Sequence, residues 1–315
     1  RYLSGLTWAP GGGAAAFLVK EANLDKNGYD THIWIHWGGK QTQLTAAGDE
    51  TGLCWEDGKH ILFPDLRTGA DKKRRADGER FTVFYRIGID GGEALRAFEL
   101  PFAVTELAVA DENYFVAMGK IDVNCPDYYA MTDQARRETE KYWKEESDFQ
   151  VIDELPFRFN GMGYINKVRN AIFLVDRKTL EVRRLSAANE EVNAWTMVDG
   201  KVCYCAEAIE TKMLYRQKIY VCDPAQGEAV CKYGGAEYQI EYMVGYKGKV
   251  VFAGGTQERY GYNENPMFYQ MDLDTGAVTL FSDNPDSLHP AIGSDCRLGR
   301  TPLAKVCRDG IYYLA

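Results

Sequence analysis

The stretch Leu6-Thr7-Trp8-Ala9-Pro10-Gly11, followed by Ala14-Ala15-Ala16-Phe17-Leu18-Val19, decides how this chain is read, because it comes back. It recurs 47 residues later as Leu53-Cys54-Trp55-Glu56-Asp57-Gly58, followed by Ile61-Leu62-Phe63. Looser copies follow. Leu107–Glu112 precedes Tyr114-Phe115-Val116, and Trp195–Gly200 precedes Val202-Cys203-Tyr204. Met243–Gly248 precedes Val250-Val251-Phe252, and Cys307–Gly310 precedes Ile311–Leu314. Each copy is a short apolar run, a polar turn that usually holds glycine, and a second apolar run. That pattern is an antiparallel hairpin.

A second hairpin signal follows the first in each unit. Ile33-Trp34-Ile35 leads through Gly38-Gly39 to Gln43-Leu44-Thr45, and Val83-Phe84-Tyr85 through Gly91-Gly92 to Ala94-Leu95. Ile172–Asp176, Ile219–Asp223 and Phe268–Asp272 each lead through a turn into another short run. A unit is therefore four short antiparallel strands over about 45–50 residues, the repeat of a β-propeller. The fold class is all-β, with 1–315 a single propeller domain. Stacked helical repeats would show a 3.6-residue period, and a doubly wound α/β fold needs longer crossovers. A two-sheet sandwich is the structural alternative. Five units are complete and a sixth stops after its second strand. The chain therefore reads as a fragment, and its open strand edges predict self-association into a homo-oligomer.

Composition agrees. The 315 residues are 45% hydrophobic and 26% charged, a globular balance, and the 13% aromatics with 31 glycines suit strands and turns. A net charge of −9 repels phosphate backbones, so no nucleic-acid partner is expected. No run approaches the roughly 18–20 apolar residues of a membrane helix, and no signal peptide is visible after Arg1, so no membrane partner is expected either. Eight scattered cysteines (Cys54, Cys125, Cys203, Cys205, Cys222, Cys231, Cys296, Cys307) are not a disulfide scaffold, and the expected compartment is the cytoplasm.

The third unit is interrupted over about 121–169. Asp127–Glu146 predicts a helix, with Met131, Ala135 and Tyr142 as a narrow apolar stripe and with Arg136–Glu140 and Glu140–Lys144 as pairs. Beyond it run Val151-Ile152, then Leu155-Pro156-Phe157-Arg158, then Gly161-Met162-Gly163, before Ile172–Asp176 resumes the unit.

These residues carry a resemblance. The chain resembles the propeller domain of the prolyl oligopeptidase family of serine peptidases, in its acylaminoacyl-peptidase and dipeptidyl-peptidase-like bacterial branch. Trp8-Ala9-Pro10-Gly11 and Trp55-Glu56-Asp57-Gly58 are similar to the W-S-P-D-G turns of that family, which TolB-like propellers share. The insert is similar to the segment V-I-x-x-L-x-[YF]-R-x-x-G-x-G. The resemblance implies a parent with about seven blades and an α/β-hydrolase domain beyond residue 315. That domain is the expected partner, with peptide as substrate. It would carry a serine on a G-x-S-x-G elbow. None of Ser4, Ser147, Ser186, Ser282, Ser287 and Ser294 lies in that motif. The chain alone is thus expected to be no enzyme, with no catalytic residue and no cofactor. It would cover the active site and restrict access to small peptides, while the parent releases aminoacyl, acylaminoacyl or dipeptidyl units. Phe157, Arg158 and Tyr164 are the candidate substrate-channel or domain-interface residues. Family members that trim dipeptides hold the free amine with paired glutamates, for which Glu138 with Glu140, or Glu145 with Glu146, are candidates.

Other patterns read more plainly. Cys203 and Cys205 share a strand face as packing residues, and His32 and His36 share another without a third metal ligand. His60 and His289 have no partnered motif. Asp272-x-Asp274-x-Gly276 lacks the later glutamate of a calcium loop and reads as a hairpin turn. Gly161-x-Gly163 reads as a flexible turn, and Asp71–Asp77 as a solvated basic loop. No metal site is expected. Two rivals stand beside the peptidase reading: a stand-alone TolB- or WD40-like propeller that binds proteins, and a propeller lyase or glycosidase with its own site.

Overall fold

Alternation of inward apolar and outward polar residues, punctuated by glycine turns, gives the chain its strands. The computed structural model describes residues 1–160, 162–283, 304–307 and 309–313. The first sheet holds β1 (Tyr2–Trp8), β2 (Ala14–Asn23), β3 (Gly28–Trp37) and β4 (Lys40–Gln43) in sequence order. The second holds β5 (Cys54–Trp55), β6 (His60–Pro64), β7 (Thr82–Gly88) and β8 (Gly91–Leu100). The third holds β9 (Ala103–Val109), β10 (Tyr114–Asp122), β13 (Val168–Asp176) and β14 (Val182–Arg184). Between β10 and β13 lie a 3-10 turn (Tyr128–Ala130), helix α2 (Asp133–Glu145) and a small hairpin of β11 (Arg158–Phe159) and β12 (Gly163–Tyr164).

The next two meanders are fused. β15 (Glu190–Val198), β16 (Lys201–Ala208), β17 (Gln217–Cys222), β18 (Ala229–Tyr246), β19 (Lys249–Gly255), β20 (Met267–Asp272) and β21 (Val278–Ser282) follow one another in one sheet. Strand β18 is the last strand of one meander and the first of the next. Its Ala229–Tyr233 part pairs with β17 and its Gln239–Tyr246 part with β19. The register against β17 shifts across Gly234-Gly235-Ala236, where Ala236 has φ 50°, and Tyr238 still pairs with Gln217 beyond it. A final hairpin joins β22 (Ala304–Val306) to β23 (Ile311–Tyr313). No helix among the described residues is long and apolar enough to cross a membrane.

The chain falls into two compact units. The first comprises residues 1–109 and 128–146. Its core interleaves Ala14, Ala16, Leu18, Ile33 and Ile35 of the first sheet with Trp55, Ile61, Phe63, Val83 and Tyr85 of the second. Here the repeated motif shows its use: Trp55 is 6% exposed and its indole N–H donates to the Thr7 carbonyl at 3.3 Å. Trp8, at the equivalent place in the first copy, is 65% exposed.

The second unit comprises residues 110–127 and 147–283, with the hairpin at 304–313. Val116, Ile172 and Leu174 pack on Val192, Val202 and Tyr204, and Cys203, Cys205 and Ile219 pack on Met243, Phe252 and Tyr269. The approach is close at Gly245, where a Cβ would stand 2.3 Å from the Met197 carbonyl oxygen, so no larger residue fits.

Two expectations need correction. Asp71–Asp77 is not a solvated loop. Helix α1 (Gly69–Ala76) occupies it, because Thr68 caps the Asp71 N–H at 3.0 Å. Arg74 reaches Glu79 and Glu99, and Arg96 reaches Asp71 at 2.6 Å. The helical stripe is also different. Helix α2 starts later, at Asp133 behind the Thr132 cap, and Tyr142 is 61% exposed. The covered face is Ala135, Arg136, Thr139, Glu140 and Trp143. Glu140 accepts a hydrogen bond from the Tyr128 hydroxyl, Arg136 pairs with Asp133, and the Arg80 guanidinium lies 3.7 Å from the Trp143 ring centre. The contacts on that face decide the stripe, not the apolar residues alone.

Candidate functional site

After α2 the chain forms an arm in the second unit. Asn166 closes its base. Its side-chain oxygen accepts the N–H groups of Asp153 and Glu154 at 3.2 and 3.1 Å, and its amide donates to the Val151 carbonyl at 2.9 Å. Glu154 lies beneath, 4% exposed, and receives Arg169 at 2.7 Å and Lys167 at 2.9 Å. Burial alone would raise the Glu154 carboxyl, but the bonds from Arg169 and Lys167 outweigh it and hold the group below the usual range. Leu155 pairs through its backbone with Thr211 and Met213, at 2.9 and 2.8 Å.

From this base the β11–β12 hairpin projects. The Ile165 N–H donates to the Phe157 carbonyl at 2.8 Å, and Arg158 stands opposite Tyr164 across the pair. The Arg158 guanidinium lies over the Tyr164 ring, 5.7 Å from its centre. Val151 (71%), Leu155 (58%), Met162 (55%) and Tyr164 (51%) are exposed, and Phe157 is about one-third exposed at 36%. An apolar surface on a fixed support is the usual mark of a binding face.

Corresponding connections of the fused sheet extend it. The β16–β17 connection carries exposed Leu214, and the buried Glu207 carboxylate accepts the backbone N–H groups of Leu214 and Arg216. Burial raises Glu207, and those donors oppose the shift. The β19–β20 connection carries exposed Tyr260 and Tyr262. The Tyr262 ring packs at 4.8 Å on Tyr215, whose carbonyl accepts from Gln257 at 3.1 Å. Leu214, Tyr260 and Tyr262 were not legible as site residues. Their one signal is that large apolar residues sit in connections where polar ones are expected.

The structure brings Phe157, Arg158 and Tyr164 together on one hairpin of the second unit, and the candidate glutamates belong to helix α2 of the first. Glu140 is taken by Tyr128, while Glu138 and Glu145 are exposed on α2. Cys203 and Cys205 are buried, and burial pushes both thiols up to about 12. The His32 Nδ1 lies 3.9 Å from Glu50, His36 is exposed, and His60 meets Asp57 at 2.9 Å. Asp272 sits in a hairpin turn and accepts the Thr275 N–H at 3.0 Å. Among the described residues no group of three or more His, Cys, Asp and Glu is placed to hold a metal ion. Gly161, Ser287, His289, Ser294 and Cys296 lie outside the described residues.

The acylaminoacyl peptidase of Pyrococcus horikoshii, in an orthorhombic crystal form, superposes with a TM-score of 0.64 at 17% identity. The match covers 99% of this chain and 42% of that one. This chain has the fold of the propeller region of an acylaminoacyl peptidase. A puromycin hydrolase variant complexed with PGG gives a TM-score of 0.50 at 12% identity, over 98% of the propeller chain and 43% of the hydrolase. In sequence, the uncharacterized peptidase YuxL of Bacillus subtilis (strain 168) is 22% identical over 184 residues, 57% of the propeller chain and 25% of YuxL. No protein-family model matches. The propeller chain thus spans less than half the length of each of these proteins.

Proposed function

We propose that this chain is the non-catalytic propeller domain of a prolyl oligopeptidase-family serine peptidase. In this reading it covers the active site and admits small peptides. The arm is the observation that carries the reading: a rigidly based hairpin with an exposed apolar tip is suited to meet a peptide or a neighbouring domain. Phe157, Arg158 and Tyr164 line the substrate route or the domain interface. The parent carries an α/β-hydrolase domain in the same polypeptide, outside this chain. It hydrolyses peptides with release of aminoacyl, acylaminoacyl or dipeptidyl units, through a serine ester with histidine as base. The parent propeller has about seven four-stranded blades, of which five and part of a sixth lie here. Placement in the cytoplasm and assembly into a homo-oligomer complete the proposal.

The test is the reading frame around this chain, followed by peptide assays on the full-length protein. The expected result is a downstream G-x-S-x-G serine with aspartate and histidine, and hydrolysis that ends when that serine becomes alanine. A frame that closes after one or two further repeats would overturn the proposal and favour a protein-binding propeller.

A further inference from the structure

The tip of the arm carries a reactive side chain that the peptidase reading does not use. The chain has eight methionines. Met243 and Met271 are buried, at 3% and 0% exposed, and five others are half-buried. Met162, at 55%, is the exposed one among the described residues. It follows the turn of the hairpin, where its backbone N–H donates to the Phe159 carbonyl at 3.2 Å. The half-buried Met131, by contrast, has its sulfur engaged by the Thr139 hydroxyl at 3.8 Å.

Exposure matters because the thioether is a soft, oxidisable group, and the reach of an oxidant to sulfur decides which methionine reacts. A hydroperoxide supplies the oxygen. A sulfur lone pair attacks the terminal peroxide oxygen, and the S–O bond forms as the O–O bond breaks. The proton on the transferred oxygen passes to the departing one. Sulfur loses two electrons, the peroxide gains them, and an alcohol leaves, or water when the oxidant is hydrogen peroxide. The product is a sulfoxide, so a flexible apolar side chain becomes polar and gains an acceptor oxygen. At Met162 that change falls on the exposed apolar surface of the arm, to which Val151 and Leu155 also belong. The hydrogen bonds of Asn166 and the ion pairs of Glu154 do not involve Met162. The arm therefore keeps its support while its tip changes character.

We propose that Met162 is a modification site, oxidised by hydroperoxides ahead of the other methionines, and that its sulfoxide switches off the apolar contact the arm offers. The effect on peptides rests on the peptidase reading above, and the site itself does not. In the experiment, full-length protein is treated with dilute hydrogen peroxide. A thiol reductant then restores the exposed Cys231 and Cys307, and peptide mass spectrometry locates the added oxygen. The expected result is entry at Met162 at least about tenfold faster than at Met271. Comparable rates, or faster entry at another methionine, would overturn the proposal. Hydrolysis of an apolar peptide is then followed in wild type and in Met162→Leu, each treated sample against its own untreated one, with circular dichroism to confirm folding. Oxidised wild type should show KM raised by about fivefold, reversed by methionine sulfoxide reductase, while Met162→Leu, which has no sulfur there, should not respond. An equal response in both proteins would overturn the switch, as would no response in wild type once Met162 is oxidised. If untreated wild type hydrolyses no peptide, the peptidase reading fails and the oxygen map alone decides the site: selective entry at Met162 supports it, and comparable rates overturn it.

Discussion

The two halves of the insert between β10 and β13 use their charges in opposite ways. Helix α2 keeps Arg136 on Asp133 and Glu140 on Tyr128, and its Trp143 lies under Arg80. The arm consumes its charges at the base, on Glu154, and leaves Arg158 free at the tip. Adjacent stretches of one insertion thus serve different ends. In α2 polar groups hold the element down. In the arm they hold up a surface whose apolar and cationic groups face outward.

The comparison breaks first at Glu154. Replacing it with Ala strands Arg169, which is 2% exposed on its side chain, so a loss of about 3–5 kcal/mol is expected in chemical denaturation. A loss under about 1 kcal/mol would mean the base does not hold the arm. The pH dependence has a definite sign. The folded carboxyl lies below the 4.5 usual for a glutamate, so its contribution is present above that value and is lost as pH falls through the folded pKa.

Glu191 sharpens the contrast, because it is a half-buried carboxylate without a cation in hydrogen-bond contact. It accepts the Asn170 backbone N–H at 2.8 Å and the Asn170 side-chain amide at 2.6 Å. Burial pushes it up to about 7, against those hydrogen bonds. The folded state therefore holds the proton more tightly, and stability should fall as pH rises from about 4.5 to about 7. The expected fall is at most about 3 kcal/mol. Glu191→Gln should flatten it in a pH series of thermal melts, and an unchanged slope would remove Glu191 as the cause.

Smaller effects test the helix and the tip. Tyr128→Phe deletes the bond to Glu140 and should cost about 1 kcal/mol. Arg158→Gln should change stability by less than about 0.5 kcal/mol, because the residue is exposed and unpaired. A larger loss would make the tip part of the scaffold and erase the distinction between the halves.

Much of this was legible beforehand, for a local reason. Turn residues such as Asp57-Gly58 and Asp199-Gly200 act on their own neighbours, so the meanders could be read from spacing. Phe157, Arg158 and Tyr164 share one hairpin because they are near in sequence, although the sequence pattern alone does not show the pairing of Arg158 with Tyr164. The fusion at β18 was less so, since one strand there pairs with β17 through its first part and with β19 through its second, which no local pattern announces. Helix α1 was missed because its basic run looks solvated until Glu79 and Glu99 are placed beside Arg74.

Sequence by itself determined the repeat, the all-β class and the place of the insert, since strand period and turn chemistry act over a few residues. Tertiary structure alone decided which charges are satisfied. Leu155 meets Thr211 and Met213, Glu154 meets Arg169, and Asn170 meets Glu191 only once distant strands are aligned. A charge is compensated or free according to those long-range neighbours. That is why Arg158 and Arg169, eleven residues apart and chemically alike, end as a free surface cation and a buried clamp.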